Sequence, residues 1–137
     1  MTKYCGIVIH ENDLDRSGII QFEDDLEWLH NFIGCDCLDM PTRYIAGQRF
    51  VFIVDDSGLL KGRKPTVYST HLVTEDKQMF VRYRPELVGT VIITNVNDHG
   101  DFVDLTDKEI EHIGYNIIEN DERPVIVNFN MRKGGML

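Results

Sequence analysis

The residues with the clearest capacity for chemistry in this chain are basic ones. Arg43, Arg49, Lys61, Arg63 and Lys64 are five of the 14 Lys and Arg residues and fall within one short window, with Tyr44 and Tyr68 near its ends. Guanidinium groups bind phosphate oxygens through paired N–H donors, and aromatic faces stack on bases. Arg43, Tyr44, Arg49, Lys61, Arg63 and Lys64 therefore form a candidate site for a small anionic nucleotide. Such a site requires its donors to converge on one concave surface, in which case Arg63→Ala weakens binding about ten- to a hundredfold and leaves folding almost untouched. The alternative is a solvated basic loop whose charges pair with acids elsewhere on the chain or across a subunit contact. A second grouping, Arg82-Tyr83-Arg84, would put both arginines on one face if it forms a strand.

Other constellations give less. His10, His30, His71, His99 and His112 are scattered and match no metal-binding spacing. His30 adjoins an apolar stripe, where a half-buried ring is expected, and His99 sits in an acidic turn, where an exposed one is. Cys5, Cys35 and Cys37 read as reduced thiols packed as small hydrophobes, although a strand-borne Cys35-x-Cys37 would bring two thiols to one face. No serine lies in a nucleophile elbow, and Gly58 and Gly62 lack the spacing of a phosphate loop. Asp24-Asp25 fits a helix N-terminus and Asp55-Asp56 a turn, so structural roles account for both. No catalytic residue, metal ligand or cofactor is assigned, and the protein is expected not to be an enzyme.

Composition bounds the remainder. Apolar types supply 42% of the 137 residues and charged types 27%, enough for one buried core, so a single domain over 1–137 is expected. The net charge of -9 argues against nonspecific nucleic-acid binding and against an anionic membrane surface. No apolar run approaches a membrane span, and the N-terminal residues do not read as a secretory signal, so a cytoplasmic protein is expected.

The elements that must position these residues are legible in outline. Tyr4–His10 predicts a first strand, with a turn-rich segment over Asn12–Gly18. Gln21–Ile33 predicts a helix carrying Phe22, Leu26, Leu29 and Ile33 on one face and Gly34 as its stop. Cys35–Ile45 reads as extended and interrupted at Pro41; Arg49–Asp55 is a strand, Asp56–Gly58 a turn and Leu59–Lys64 a loop or short ribbon. Thr66–Leu72 leans towards strand, Val73–Glu86 is ambiguous, and Leu87–Asn95 predicts one buried strand before a turn at 96–101 that contains Gly100. Thr106-x-x-Glu109 has capping-box spacing and opens a second helix through Ile110, Ile113 and Ile117. A last strand over Pro124–Asn130 and a loose tail over 131–137 complete the chain. This order predicts an α+β fold, a mostly antiparallel or mixed sheet with its two main helices packed on one face.

Two segments carry a resemblance, Arg49–Lys64 (RFVFIVDDSGLLKGRK) and Leu87–Ile113 (LVGTVIITNVNDHGDFVDLTDKEIEHI). They resemble a family of small uncharacterised proteins of phages, plasmids and conjugative elements that is classed only as a domain of unknown function. The shared features correspond to Leu26 and Leu29, Asp56–Leu59, Gly89–Ile93 and His99–Asp107, over about the first 113 residues. The chain departs from the pattern at Lys61–Pro65, where the family has a shorter loop, and in the added Pro124–Leu137. The resemblance implies a mobile-element accessory protein in the host cytoplasm and supplies no chemistry.

Three readings follow. The first is a phage-type sponge that sequesters a nucleotide signal as an anti-defence protein. The alternative is an acidic inhibitor or adaptor that binds a host enzyme, and the third, a hydrolase or nuclease, has the least support. A homo-oligomer is expected because sheet edges need cover.

Overall fold

The apolar runs of the sequence become strands at the centre of a sheet. The computed structural model describes residues 2–11, 17–58, 60–120 and 123–126. The order is β1 (Lys3–Ile9), β2 (Gly18–Glu23), α1 (Leu26–Ile33), β3 (Leu38–Asp39), β4 (Thr42–Ile45), β5 (Gln48–Asp55), β6 (Pro65–Glu75) and β7 (Gln78–Val88). After these come β8 (Val91–Val96), β9 (Phe102–Val103), α2 (Asp107–Tyr115), β10 (Ile117–Asn120) and β11 (Arg123–Ile126). A seven-stranded sheet runs β2-β1-β8-β5-β3, with β4 also on β5 and β9 on β8; a four-stranded sheet runs β10-β11-β6-β7. Every pairing is antiparallel except that of β11 with β6, so the fold is α+β as expected.

The central strands are buried on both faces, which corrects the expectation that both helices share one. Val8, Ile53 and Ile92 pack with Leu29 and Ile33 of α1. Their sequence neighbours Ile7, Ile9, Phe52, Val91 and Ile93 pack instead with Ile113 of α2 and with Val67 and Leu87 at the roots of β6 and β7. Adjacent residues of a strand point to opposite faces, so an unbroken apolar run is the signature of a strand covered on both sides.

Helix α1 is shorter than the spacing of its apolar residues suggests. Asp25 accepts a hydrogen bond from the Trp28 N–H at 2.8 Å and starts the helix at Leu26. The preceding Gly18–Glu23 pairs with β1, where Phe22 faces Tyr4 and is fully buried. Gly34 ends α1 in the left-handed region at φ 80, its N–H donating to the His30 carbonyl. The strand expected over Leu87–Asn95 is broken at Gly89, whose φ of 75 separates β7 from β8. Helix α2 keeps the expected capping box between Thr106 and Glu109 but stops at Tyr115, and Ile117 opens β10 while still packing on the core. The ambiguous 73–86 segment is the tip and return of the β6–β7 hairpin, with positive φ at Asp76 and Lys77 as a two-residue turn between strands demands. Residues 127–137, which include the end of the last expected strand and the expected tail, lie outside the described residues. No described helix is long and apolar enough to cross a membrane.

Candidate functional site

Asp55 is the last residue of β5, and its carboxylate has no exposure to solvent. A carboxylate so placed must find donors, and the turn that follows supplies them. Its Oδ1 accepts from the Ser57 N–H at 3.0 Å and the Ser57 hydroxyl at 3.3 Å, while Oδ2 accepts from Arg63 Nη1 at 2.8 Å and Lys61 Nζ at 3.0 Å. Burial would push this carboxyl up, but the Ser57 N–H and then the Lys61 and Arg63 donors outweigh it and hold its pKa at about 2.

Arg63 ties this turn to two distant parts of the chain. Its Nε and Nη2 donate to Glu11 Oε2 at 3.1 and 3.0 Å, and Nη2 also donates to the Ile33 carbonyl at 2.7 Å. That carbonyl ends α1, where a cation suits both the unpaired acceptor and the helix dipole. Glu11 takes the Lys64 N–H on its other oxygen at 3.2 Å, and its own N–H donates to the Thr90 hydroxyl. Burial opposes the charge on Arg63, yet the hydrogen bonds it donates to Glu11 and Asp55 raise its pKa further. Gly89 makes room for the guanidinium, because a Cβ there would lie 2.8 Å from Arg63 Nε.

The basic window is thus divided by its own strand. Lys61, Arg63 and Lys64 gather at the Asp55 end of β5, whereas Arg49 sits near the other end, six residues away or about 20 Å. The β4–β5 pairing sets Tyr44 opposite Arg49 and Arg43 opposite Phe50, so Arg43 and Arg49 leave on opposite faces. Arg49 is exposed, with Nη2 3.4 Å from the Val96 carbonyl. Arg43 donates to the Thr42 carbonyl, and its buried Nε has no partner among the described residues. The expected convergence does not occur. The competing reading, basic side chains paired with acids of the same chain, describes Lys61 and Arg63, and with Arg63 so held Arg63→Ala is expected to cost stability rather than leave folding untouched. Arg82-Tyr83-Arg84 lies on β7, and its side chains are outside the described ones.

Glu11 is the partner that sequence reading missed, since it lies beside a turn-rich segment with nothing local to mark it. The Asp55-x-Ser57 turn was the available signal for a buried carboxylate. The cysteines are free and Cys35 packs in the α1-side core, as expected, but residues 35–37 form no strand and Cys37 is exposed. Burial, followed by neighbouring Asp55, raises the Cys35 thiol; burial and then Asp104 raise that of Cys5. His30 is half-buried and His99 exposed, as expected, while His112 Nε2 donates to the Ile45 carbonyl at 2.6 Å. Among the described residues no group of three His, Cys, Asp or Glu side chains is placed to hold a metal.

Beside this network lies a cleft of about 380 Å³ between the end of β5, its turn and the end of β7. Val54, Leu87 and Val88 give it apolar walls, Asp39 and Asp56 stand at it as exposed acids, and Leu60 at its margin is 92% exposed. The volume lies at the small end of the range for ligand clefts.

A family model described as Domain of unknown function (DUF3846) matches residues 3–118, a span that ends before Pro124–Leu137. No curated protein and no solved structure matches the chain.

Proposed function

The chain belongs to the DUF3846 family of domains of unknown function, and from that premise we propose that it is a non-catalytic accessory protein that binds a basic segment of a partner protein. The cleft beside Asp55 carries this reading. It offers apolar walls and exposed acids at Asp39 and Asp56, and a net charge of -9 steers a basic partner towards it. Arg63, the strongest anion-binding group nearby, is already held by two carboxylates and a carbonyl. The role is that of an acidic inhibitor or adaptor, of the kind a mobile element directs at a host enzyme, and it needs no catalytic group.

A second reading is favoured by Tyr44 and Arg49, which face each other across the β4–β5 ladder. There a stacking surface and an exposed guanidinium would serve a phage-type sponge for a nucleotide signal.

Calorimetric titration separates the two. A peptide alternating Leu with Lys or Arg binds the wild type and weakens as salt rises. Leu60→Ser loses about fivefold in affinity, the equivalent of partly burying one leucine side chain, and Asp56→Lys loses more and flattens the salt dependence. Equal binding by all three proteins refutes the cleft reading. Nucleotide binding that disappears in Arg49→Ala supports the second.

A further inference from the structure

The two long edges of the seven-stranded sheet are treated differently. On one edge the pairing with β5 is broken into the short β3 and β4 with Met40 and Pro41 between them. Such interruption discourages the addition of another strand. On the other edge β2 runs unbroken from Gly18 to Glu23, paired among the described residues only with β1, with no proline, lysine or arginine in it. Elsewhere β7 carries Pro85, and β9 and β10 are short.

The ladder also fixes which backbone groups of β2 face outward. The Asp24 N–H donates to the Thr2 carbonyl, continuing the register Lys3↔Glu23 and Tyr4↔Phe22. Residues 18, 20, 22 and 24 therefore turn their amides towards β1, and Ile19, Gln21 and Glu23 turn theirs away. The Cys5 amide agrees: it donates to Asp104 and its carbonyl accepts from Leu105, both away from β2. Exposed apolar side chains flank the edge, Ile19 at 63% and Leu26 at 65% exposure.

We propose that this edge is the dimer interface, where β2 pairs antiparallel with β2 of a second copy about a twofold axis through Gln21. The register is self-complementary. Gln21 faces itself and Ile19 faces Glu23 of the other copy, and each facing pair exchanges two N–H···O bonds. No acid falls opposite an acid. Glu23 is already opposite Lys3 in its own sheet, and the Glu23-Asp24-Asp25 stretches of the two copies lie at opposite ends of the ribbon. A copy of this chain thus satisfies the open amides and covers Ile19 without opposing charges, although the net charge of -9 makes the dimer tighter at higher salt.

Light scattering across a hundredfold range of concentration, with the full chain, tests this. The mass rises from 15.9 kDa towards twice that value, and at a lower concentration in high salt than in low. Gln21→Pro removes an outward N–H without touching the β1 ladder and weakens the dimer on the order of ten- to a hundredfold. Ile19→Lys, at an exposed position, weakens it as well, and melting curves establish that both variants stay folded. Gln21→Cys gives a disulfide-linked dimer on mild oxidation that the wild type, with its own three cysteines, does not, because facing Cα atoms of such a pair lie about 5.5 Å apart. A monomer at every concentration, a dimer indifferent to Gln21→Pro and Ile19→Lys, or strand addition only by an added peptide would each overturn the proposal.

Discussion

Replacing Arg63 with alanine removes four N–H donations at once: two to Glu11, one to Asp55 and one to the Ile33 carbonyl. The cost follows from what is left behind. Breaking a buried ion pair from one side costs about 3 to 5 kcal/mol, because the surviving charge is stranded. Here Asp55 is fully buried, and Arg63 itself is only 14% exposed. Lys61 and Ser57 still serve Asp55, and the Lys64 N–H still serves Glu11, so the lower end of the range, about 3 kcal/mol, is expected. For a chain of 137 residues that corresponds to a fall of about 10 °C in Tm. Urea denaturation followed by circular dichroism measures it, with an unchanged m value showing that the same surface is exposed. Lys61→Ala is the control, since a side chain 40% exposed in a single pair contributes less than about 1 kcal/mol. Arg63→Lys recovers less than half of the loss, because one ammonium cannot span Glu11, Asp55 and the end of α1. If Arg63→Ala cost no more than Lys61→Ala, Arg63 would not be what ties the Asp55 turn to Glu11 and the end of α1.

The same network sets an acid limit. The folded pKa of Asp55, about 2, lies below its ordinary 3.8, so its contribution is complete above about pH 4 and is lost as pH falls through 2. The shift amounts to about 2 kcal/mol, and the stability curve of Asp55→Asn should be flatter by that amount between pH 4 and 2. Gly89→Ala forces both a left-handed backbone and a clash with the Arg63 guanidinium, whereas Gly100→Ala at φ 84 meets nothing within 4 Å. Chemical denaturation should therefore find Gly89→Ala the worse by at least 1 kcal/mol, with Gly100→Ala costing about 1 kcal/mol. Timed alkylation of the native protein should modify exposed Cys37 first and the buried, raised thiol of Cys35 far more slowly; equal rates would contradict the burial that separates them.

Local chemistry is what the sequence could declare. The Thr106–Glu109 capping box, the Gly34 stop, the left-handed Gly100 and the strand runs at Tyr4–His10 and Arg49–Asp55 depend on hydrogen bonds or steric limits within a few residues, and each reappears in the structure. The spacing of Phe22, Leu26, Leu29 and Ile33 predicts helix from Gln21, yet pairing with β1 makes Gln21–Phe22 strand, and Phe22 is buried opposite Tyr4 in the same cluster as Leu29 and Ile33 of α1. The placement of the helices was likewise undecidable locally: Val8 and Ile9 look alike in sequence, and one lies under α1 while the other lies on the α2 side. The basic window shows the limit most plainly. Its charges are adjacent in sequence, but β5 carries Arg49 and Asp55 to opposite ends, and Glu11 reaches Arg63 from 52 positions away. Charge and spacing along a chain state which partners are possible. Sheet register and the cost of leaving a buried carboxylate unpaired determine which of them meet.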